Sequence, residues 1–197
     1  MLFLCYPKCT TCQRAGKFLD GAGAEYTFRN IKEENPQYEI AKASVIGRDG
    51  LEKFYSFTID AGEDDGIEVN DVVMSSIGVV GVVVETGPNF SRVSTILSPS
   101  VSVASFVSST RDTGVVCGDS RYSSSGKTLI RYLPKNTDAE IGDIISTTGM
   151  GEVFPKDLLV GTIEEIITDT SGNYSYAVVK PASEISEVKT VFIIKSY

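Results

Sequence analysis

Histidine is absent from the 197 residues. Its absence removes Ser-His-Asp triads, Cys-His dyads, histidine-ligated zinc and imidazole proton shuttles together. Cysteine is scarce, with Cys5, Cys9, Cys12 and Cys117 the four present. A four-cysteine zinc site is allowed by count, but C-x3-C-x2-C with one distant fourth residue does not match two zinc knuckles, so no metal and no cofactor is expected. No apolar run reaches the roughly 18 residues of a membrane helix. Met1 to Cys5 is too short and lacks the basic leader of a signal peptide. As written, the chain is expected to have no membrane segment or export device, and to be cytoplasmic if expressed alone. Positive charge is in deficit, with 18 Lys and Arg against 26 Asp and Glu, a net −8. The deficit lies in residues 39–197, which hold 13 basic and 22 acidic side chains, whereas residues 1–38 hold five and four. An acidic main part argues against nucleic acid, which needs a positive face, and against anionic membrane surfaces.

Two sequence styles meet between Tyr38 and Ala41. Before the join, Leu2 to Cys5 reads as a buried strand ended by Pro7. Thr10 or Thr11 can cap a helix through Gln13 and Leu19, stopped at Gly21 or Gly23, and Glu25 to Ile31 reads as a second strand. That is the opening of a parallel α/β sheet. Cys9 falls at the mouth of the helix, where backbone N–H groups stabilise a thiolate, and Cys12 one turn on could resolve a mixed disulfide. The run Cys5-Tyr6-Pro7-Lys8-Cys9-Thr10-Thr11-Cys12-Gln13, followed by Gly23-Ala24-Glu25-Tyr26 and Arg29 to Pro36, resembles the start of arsenate reductase/Spx-like proteins. The resemblance implies a truncated thioredoxin-like βαβ fragment over residues 1–38, with Cys9 as nucleophile and Cys12 as redox partner. A thiol-disulfide oxidoreductase or arsenate reductase is the alternative function it raises. A βαβ unit alone cannot cover both faces of its sheet, so a leftover fragment without activity is the favoured reading.

After the join, about eleven β-prone runs alternate with turn residues: 43–46, 55–59, 79–85, 93–97, 101–107, 114–117, 129–132, 143–147, 160–167, 174–179 and 190–194. Turns such as Asp64-Asp65-Gly66, Gly87-Pro88-Asn89, Ser124-Ser125-Gly126 and Ser171-Gly172-Asn173 separate them. This spacing predicts antiparallel barrels or sandwiches, and no 20–50-residue repeat is visible. Gly126-Lys127-Thr128 ends like a P-loop but has Arg121 where the first glycine is required, so a hairpin turn is expected. Asp60 to Gly66 is acid-rich without the alternation of a calcium loop and reads as a solvated turn. Gly149-Met150-Gly151 reads as a tight bend. No carboxylate pair carries flanking chemistry of an acid/base pair, and no catalytic residue is expected in this part.

The order of these motifs carries a second resemblance. Ala43 to Asp49, Phe57 to Gly62, Gly78 to Val83, Ser98 to Val103, Gly142 to Gly151, Phe154 to Gly161 and Val179 to Ala182 follow one another as in the extracytoplasmic β domain of the MreC family of rod shape-determining proteins. The resemblance covers residues 41–197. It implies a mainly β pair of small antiparallel, Greek-key-like barrels, working as a non-enzymatic scaffold of cell elongation and lateral wall synthesis at the outer face of the plasma membrane. Self-association into a homo-oligomer, MreD and a lateral-wall penicillin-binding transpeptidase are the partners it implies. Where the family has Gly after Phe-Pro-Lys, this chain has Asp157, and a reductase-like segment stands where the family places a transmembrane helix and coiled coil. Partner binding is expected on exposed apolar and edge-strand surface. The best single region is Thr148 to Leu159, with Met150, Val153, Phe154, Pro155 and Leu159 as candidates. For Phe154, a core plug between the barrels competes with an interface anchor.

Overall fold

The computed structural model describes residues 2–5, 27–30, 38–48, 54–151, 153–168 and 174–195. Strands β1 (Leu2–Cys5) and β2 (Thr27–Asn30) pair in parallel, Leu2 opposite Thr27 and Cys5 opposite Asn30. The helix expected between them, with Cys9 and Cys12, lies outside the described residues.

Everything else described is antiparallel. The first barrel is built from β3 (Glu39–Arg48), β4 (Phe57–Ile59), β5 (Val72–Met74), β6 (Val79–Thr86) and β7 (Ser91–Thr95), and is closed by β14 (Thr190–Lys195). The second holds β8 (Ser102–Val107), β9 (Thr113–Cys117), β10 (Thr128–Pro134), β11 (Ile144–Thr147), β12 (Leu159–Thr168) and β13 (Tyr174–Pro181). The chain therefore lays down five strands of one barrel, completes the other, and returns with its last strand to fill the gap between β3 and β5. Alternate inward residues form the core. Ile59, Val83, Val93 and Ile193 are fully buried in the first barrel, as are Val103, Val116, Ile130 and Val179 in the second. Such β-branched side chains fit a pleated, half-buried surface.

The two barrels are variants of one plan. Their orders, β3-β4-β7-β6-β5-β14 and β9-β10-β13-β12-β11-β8, coincide once the last strand of the chain stands for the first strand of the second barrel. The likeness extends to single residues. Asp71 and Asp143 each follow a residue of positive φ, Asn70 at 79° and Gly142 at 96°. The carboxylate of Asp71 accepts the Glu68 N–H at 2.9 Å, and that of Asp143 accepts the Glu140 N–H at 2.9 Å. Val80-Gly81 matches Val160-Gly161, and a bulge follows between Val83 and Glu85 in one and between Ile163 and Glu165 in the other. Gly81 and Gly161 are fixed by close approach, since a Cβ would fall on the carbonyl of Ser94 or of Lys180.

The barrels meet through backbone-directed side chains. The Ser123 hydroxyl donates to the Leu97 carbonyl at 2.6 Å and Thr128 Oγ1 to the Ile96 carbonyl at 3.1 Å, so the buried link between barrels has its polar groups paired. Arg48 donates to the carbonyls of Ile185 and Val188 on the return path.

Three expectations need correction. Twelve strands, not eleven, follow Tyr38; Val72–Met74 has only three residues, too few for a period to show. The run 93–97 is strand only from Ser91 to Thr95, and Ile96 and Leu97 belong to the link. Both barrels close, so every barrel strand has two neighbours and the edges expected for strand addition are absent from the barrels. Gly126 follows a single 3-10 turn, Ser123–Ser125, between two strands, as a hairpin connection rather than a phosphate loop.

Candidate interaction surface

One connection separates the two barrels. In the first, the Ser75 N–H donates to the Gly78 carbonyl at 2.9 Å and the Gly78 N–H returns to Ser75 Oγ at 3.2 Å, with only Ser76 and Ile77 between. In the second, the Thr147 N–H donates to the Leu158 carbonyl at 2.9 Å and the Leu158 N–H returns to Thr147 Oγ1 at 2.9 Å. Here residues 148–157 lie between. The same barrel plan closes this turn with two residues, so the longer connection is more than the fold needs.

The longer loop is held rather than loose. Thr147 Oγ1 donates to the Pro155 carbonyl at 2.5 Å, and the Thr148 N–H donates to the Ala104 carbonyl at 2.9 Å. Gly149 and Gly151 have φ of 79° and 90°, as a tight bend requires. Asp157, where the family resemblance implies Gly, has φ of 65°, in the left-handed region.

The five candidate residues come apart. Phe154 is 4% exposed and belongs to the apolar core, Pro155 is buried, and Val153 packs partly buried against that core. Leu159 is half-buried at the start of β12, its carbonyl turned toward Gly78 of the first barrel. Met150 is 69% exposed. It lines a groove of 230 Å³ with Phe106, Arg111, Thr113, Thr148 and Lys156. The Arg111 guanidinium lies 4.7 Å over the Phe106 ring, so the groove has an apolar floor and a cationic rim. Phe106, Arg111 and Lys156 escaped sequence reasoning because no local pattern ties residues 106–113 to 148–156. The surplus length of the second loop over Ser76-Ile77 was a usable signal.

Of the cysteines, Cys5 ends β1, and Cys117 is the one whose side chain is described. It is half-buried on β9, and burial pushes its thiol pKa up, against a smaller pull from Arg131. Among the described residues no group of three or more His, Cys, Asp or Glu is placed to hold a metal ion, and no helix is long and apolar enough to cross a membrane.

Residues 45–195 match the family described as rod shape-determining protein MreC, barrel core. The chain is 29% identical over 170 residues to the cell shape-determining protein MreC of Listeria monocytogenes, covering 84% of this chain and 57% of that protein. It thus spans little more than half of that relative's length. The crystal structure of MreC from Pseudomonas aeruginosa is similar with a TM-score of 0.73 at 25% identity, over 79% of this chain and 99% of the other. MreC in a complex of penicillin-binding protein PBP2 and MreC from Helicobacter pylori shares the fold, with a TM-score of 0.63 at 14% identity, over 81% of this chain and all of that one. With two closed barrels of matching order and a family match over most of its length, the chain belongs to the MreC family.

Proposed function

We propose that this chain is a non-catalytic scaffold of the bacterial cell-elongation machinery, acting in cell shape and lateral wall synthesis by binding other proteins at the outer face of the plasma membrane. The observation that carries the reading is the surplus loop of the second barrel. It anchors itself with buried Phe154 and Pro155 and leaves Met150 exposed beside Phe106, Arg111 and Lys156. A few apolar anchors ringed by polar groups are what protein interfaces use. The occupant proposed for this groove is a lateral-wall penicillin-binding transpeptidase, in keeping with the PBP2 partner of the Helicobacter pylori relative. MreD and further copies of the chain are the other partners. Residues 1–38 are read as an arsenate reductase/Spx-like fragment, for which the parallel pairing of Leu2–Cys5 with Thr27–Asn30 is the expected frame.

The test is biolayer interferometry against the ectodomain of such a transpeptidase. Met150→Asp and the pair Arg111→Glu with Lys156→Glu should each weaken binding by roughly tenfold or more while melting stays unchanged. Unaltered affinity in both variants removes the groove from the reading, and no binding by the parent chain removes the partner.

A further inference from the structure

The two barrels also differ at a second place, on another face of the second barrel. In the first barrel β4 ends at Ile59, paired with Ser91. The equivalent pair in the second is Ile130 with Ala177, yet β10 runs on through Arg131 to Pro134, paired with Ser175 and Tyr174. The extension begins at an irregularity where Tyr132 has φ of 65°, an uncommon conformation for a bulky residue. The result is an exposed aromatic corner. Tyr132 and Tyr174 are 59% and 56% exposed, and their rings meet edge to face at 5.8 Å.

Two arginines complete this corner. Arg121 binds Asp119 through two nitrogens, each at 3.0 Å, and Arg131 reaches the same carboxylate at 2.8 Å. One carboxylate thus faces two guanidiniums, and the cleft of 340 Å³ lined by Arg121, Arg131, Tyr132, Tyr174 and Tyr176 keeps a net positive charge. Tyrosine and arginine are the residues enriched at interface hot spots.

The corresponding connection of the first barrel, after β4, has the opposite character. Glu63, Asp64, Asp65 and Glu68 are all exposed there, and Val69 beside them is 50% exposed. Glu63 accepts the Thr86 hydroxyl, Asp65 accepts the Gly62 N–H, and Lys195 donates to the Asp65 carbonyl and to Glu39. Asp64 and Glu68 remain as exposed acids on this turn. The charge is also unequal between halves: residues 98–182 carry seven Lys and Arg against ten Asp and Glu, whereas 38–97 with 183–197 carry six against twelve.

We propose that the Tyr132/Tyr174/Arg121/Arg131 cleft of one copy receives the Glu63–Glu68 turn of a second copy. The inference rests on the self-association named above and supplies its contact. The two surfaces lie on different barrels, so one such contact is head-to-tail and leaves one free surface of each kind at the ends of any open oligomer. Carboxylates of the turn meet guanidiniums, and Val69 has aromatic rings to cover it. The contact weakens as salt rises, since both surfaces are exposed.

Sedimentation velocity on the full chain tests it. The parent protein should grow past a dimer with concentration and dissociate in high salt. A cleft variant, Arg121→Gln with Tyr132→Ala, and a turn variant, Asp64→Lys with Glu68→Lys, should each associate at least roughly tenfold more weakly. Mixed in equal amounts, they should form a dimer and stop there, because the cleft variant keeps its turn and the turn variant keeps its cleft. A parent that stays monomeric removes self-association altogether. A parent that assembles while both variants assemble equally well removes this contact and leaves self-association standing. The turn variant sits on exposed positions, so it decides the matter even if the cleft variant fails to fold.

Discussion

Ser75 Oγ lies 2.5 Å from Ser183 Oγ, and both side chains are buried. Ser75 belongs to the short turn after β5 and Ser183 follows the last strand of the second barrel, so one hydroxyl pair joins the two barrels. Ser75 Oγ also accepts the Ile77 N–H at 2.9 Å. Ser75→Ala therefore orphans buried donors and should cost about 1–3 kcal/mol in chemical denaturation. At the same junction, a Cβ on Gly78 would stand 2.5 Å from the Leu159 carbonyl oxygen and 3.0 Å from Ala182 Cβ. Gly78→Ala should cost about as much or more, through overpacking against backbone that cannot yield.

The last strand closes the first barrel, with Phe192 opposite Lys42 on one side and Met74 on the other. A chain ending at Lys189 should open that barrel, expose β3 and β5 as edges, and aggregate or lose its cooperative transition. A truncated chain that melts as a soluble monomer with the parent's midpoint would show that β14 is dispensable.

Asp157 holds a left-handed conformation that glycine adopts without steric cost. Asp157→Gly should raise stability by about 0.5–1 kcal/mol, the strain relief exceeding the added chain entropy. Phe154→Ala in the same loop removes a buried ring and should lose about 3–5 kcal/mol. Denaturant melts of both variants check the two signs together.

The architecture was legible because it rests on β-propensity and punctuation. Runs such as Val79 to Glu85 and Val101 to Val107 are dense in valine and other strand formers, and turn residues mark their ends. Three-residue β5 is too short to stand out as a run. Closure was invisible too, because the pairing of Thr190 with Ser44 joins strands almost the whole chain apart. The site was half legible. Gly149, Gly151 and Pro155 flagged the loop, but apolar character alone could not separate exposed Met150 from buried Phe154. Arg111 and the tyrosine corner reach their places only through pairing between distant strands.

Asp119 offers a pH reading. The hydrogen bond from the Arg121 side chain, helped by the Arg121 backbone N–H, lowers its pKa from 3.8 to about 2. A depressed carboxylate pKa stabilises the fold above the unfolded value, and that contribution fades as pH falls from about 4 through about 2. The parent should therefore melt higher than Asp119→Asn at neutral pH, with the gap closing over that acid window. A gap that is constant down to pH 2 would mean that the carboxylate charge is not what matters.

Hydrogen exchange of the full chain, with and without the transpeptidase ectodomain, tests the scaffold account most directly. The account predicts slowed exchange in residues 106–113 and 148–156, where Phe106, Arg111, Met150 and Lys156 meet, and unchanged exchange in the barrel strands away from them. Protection confined to other surfaces, or none at saturating ectodomain, would contradict it.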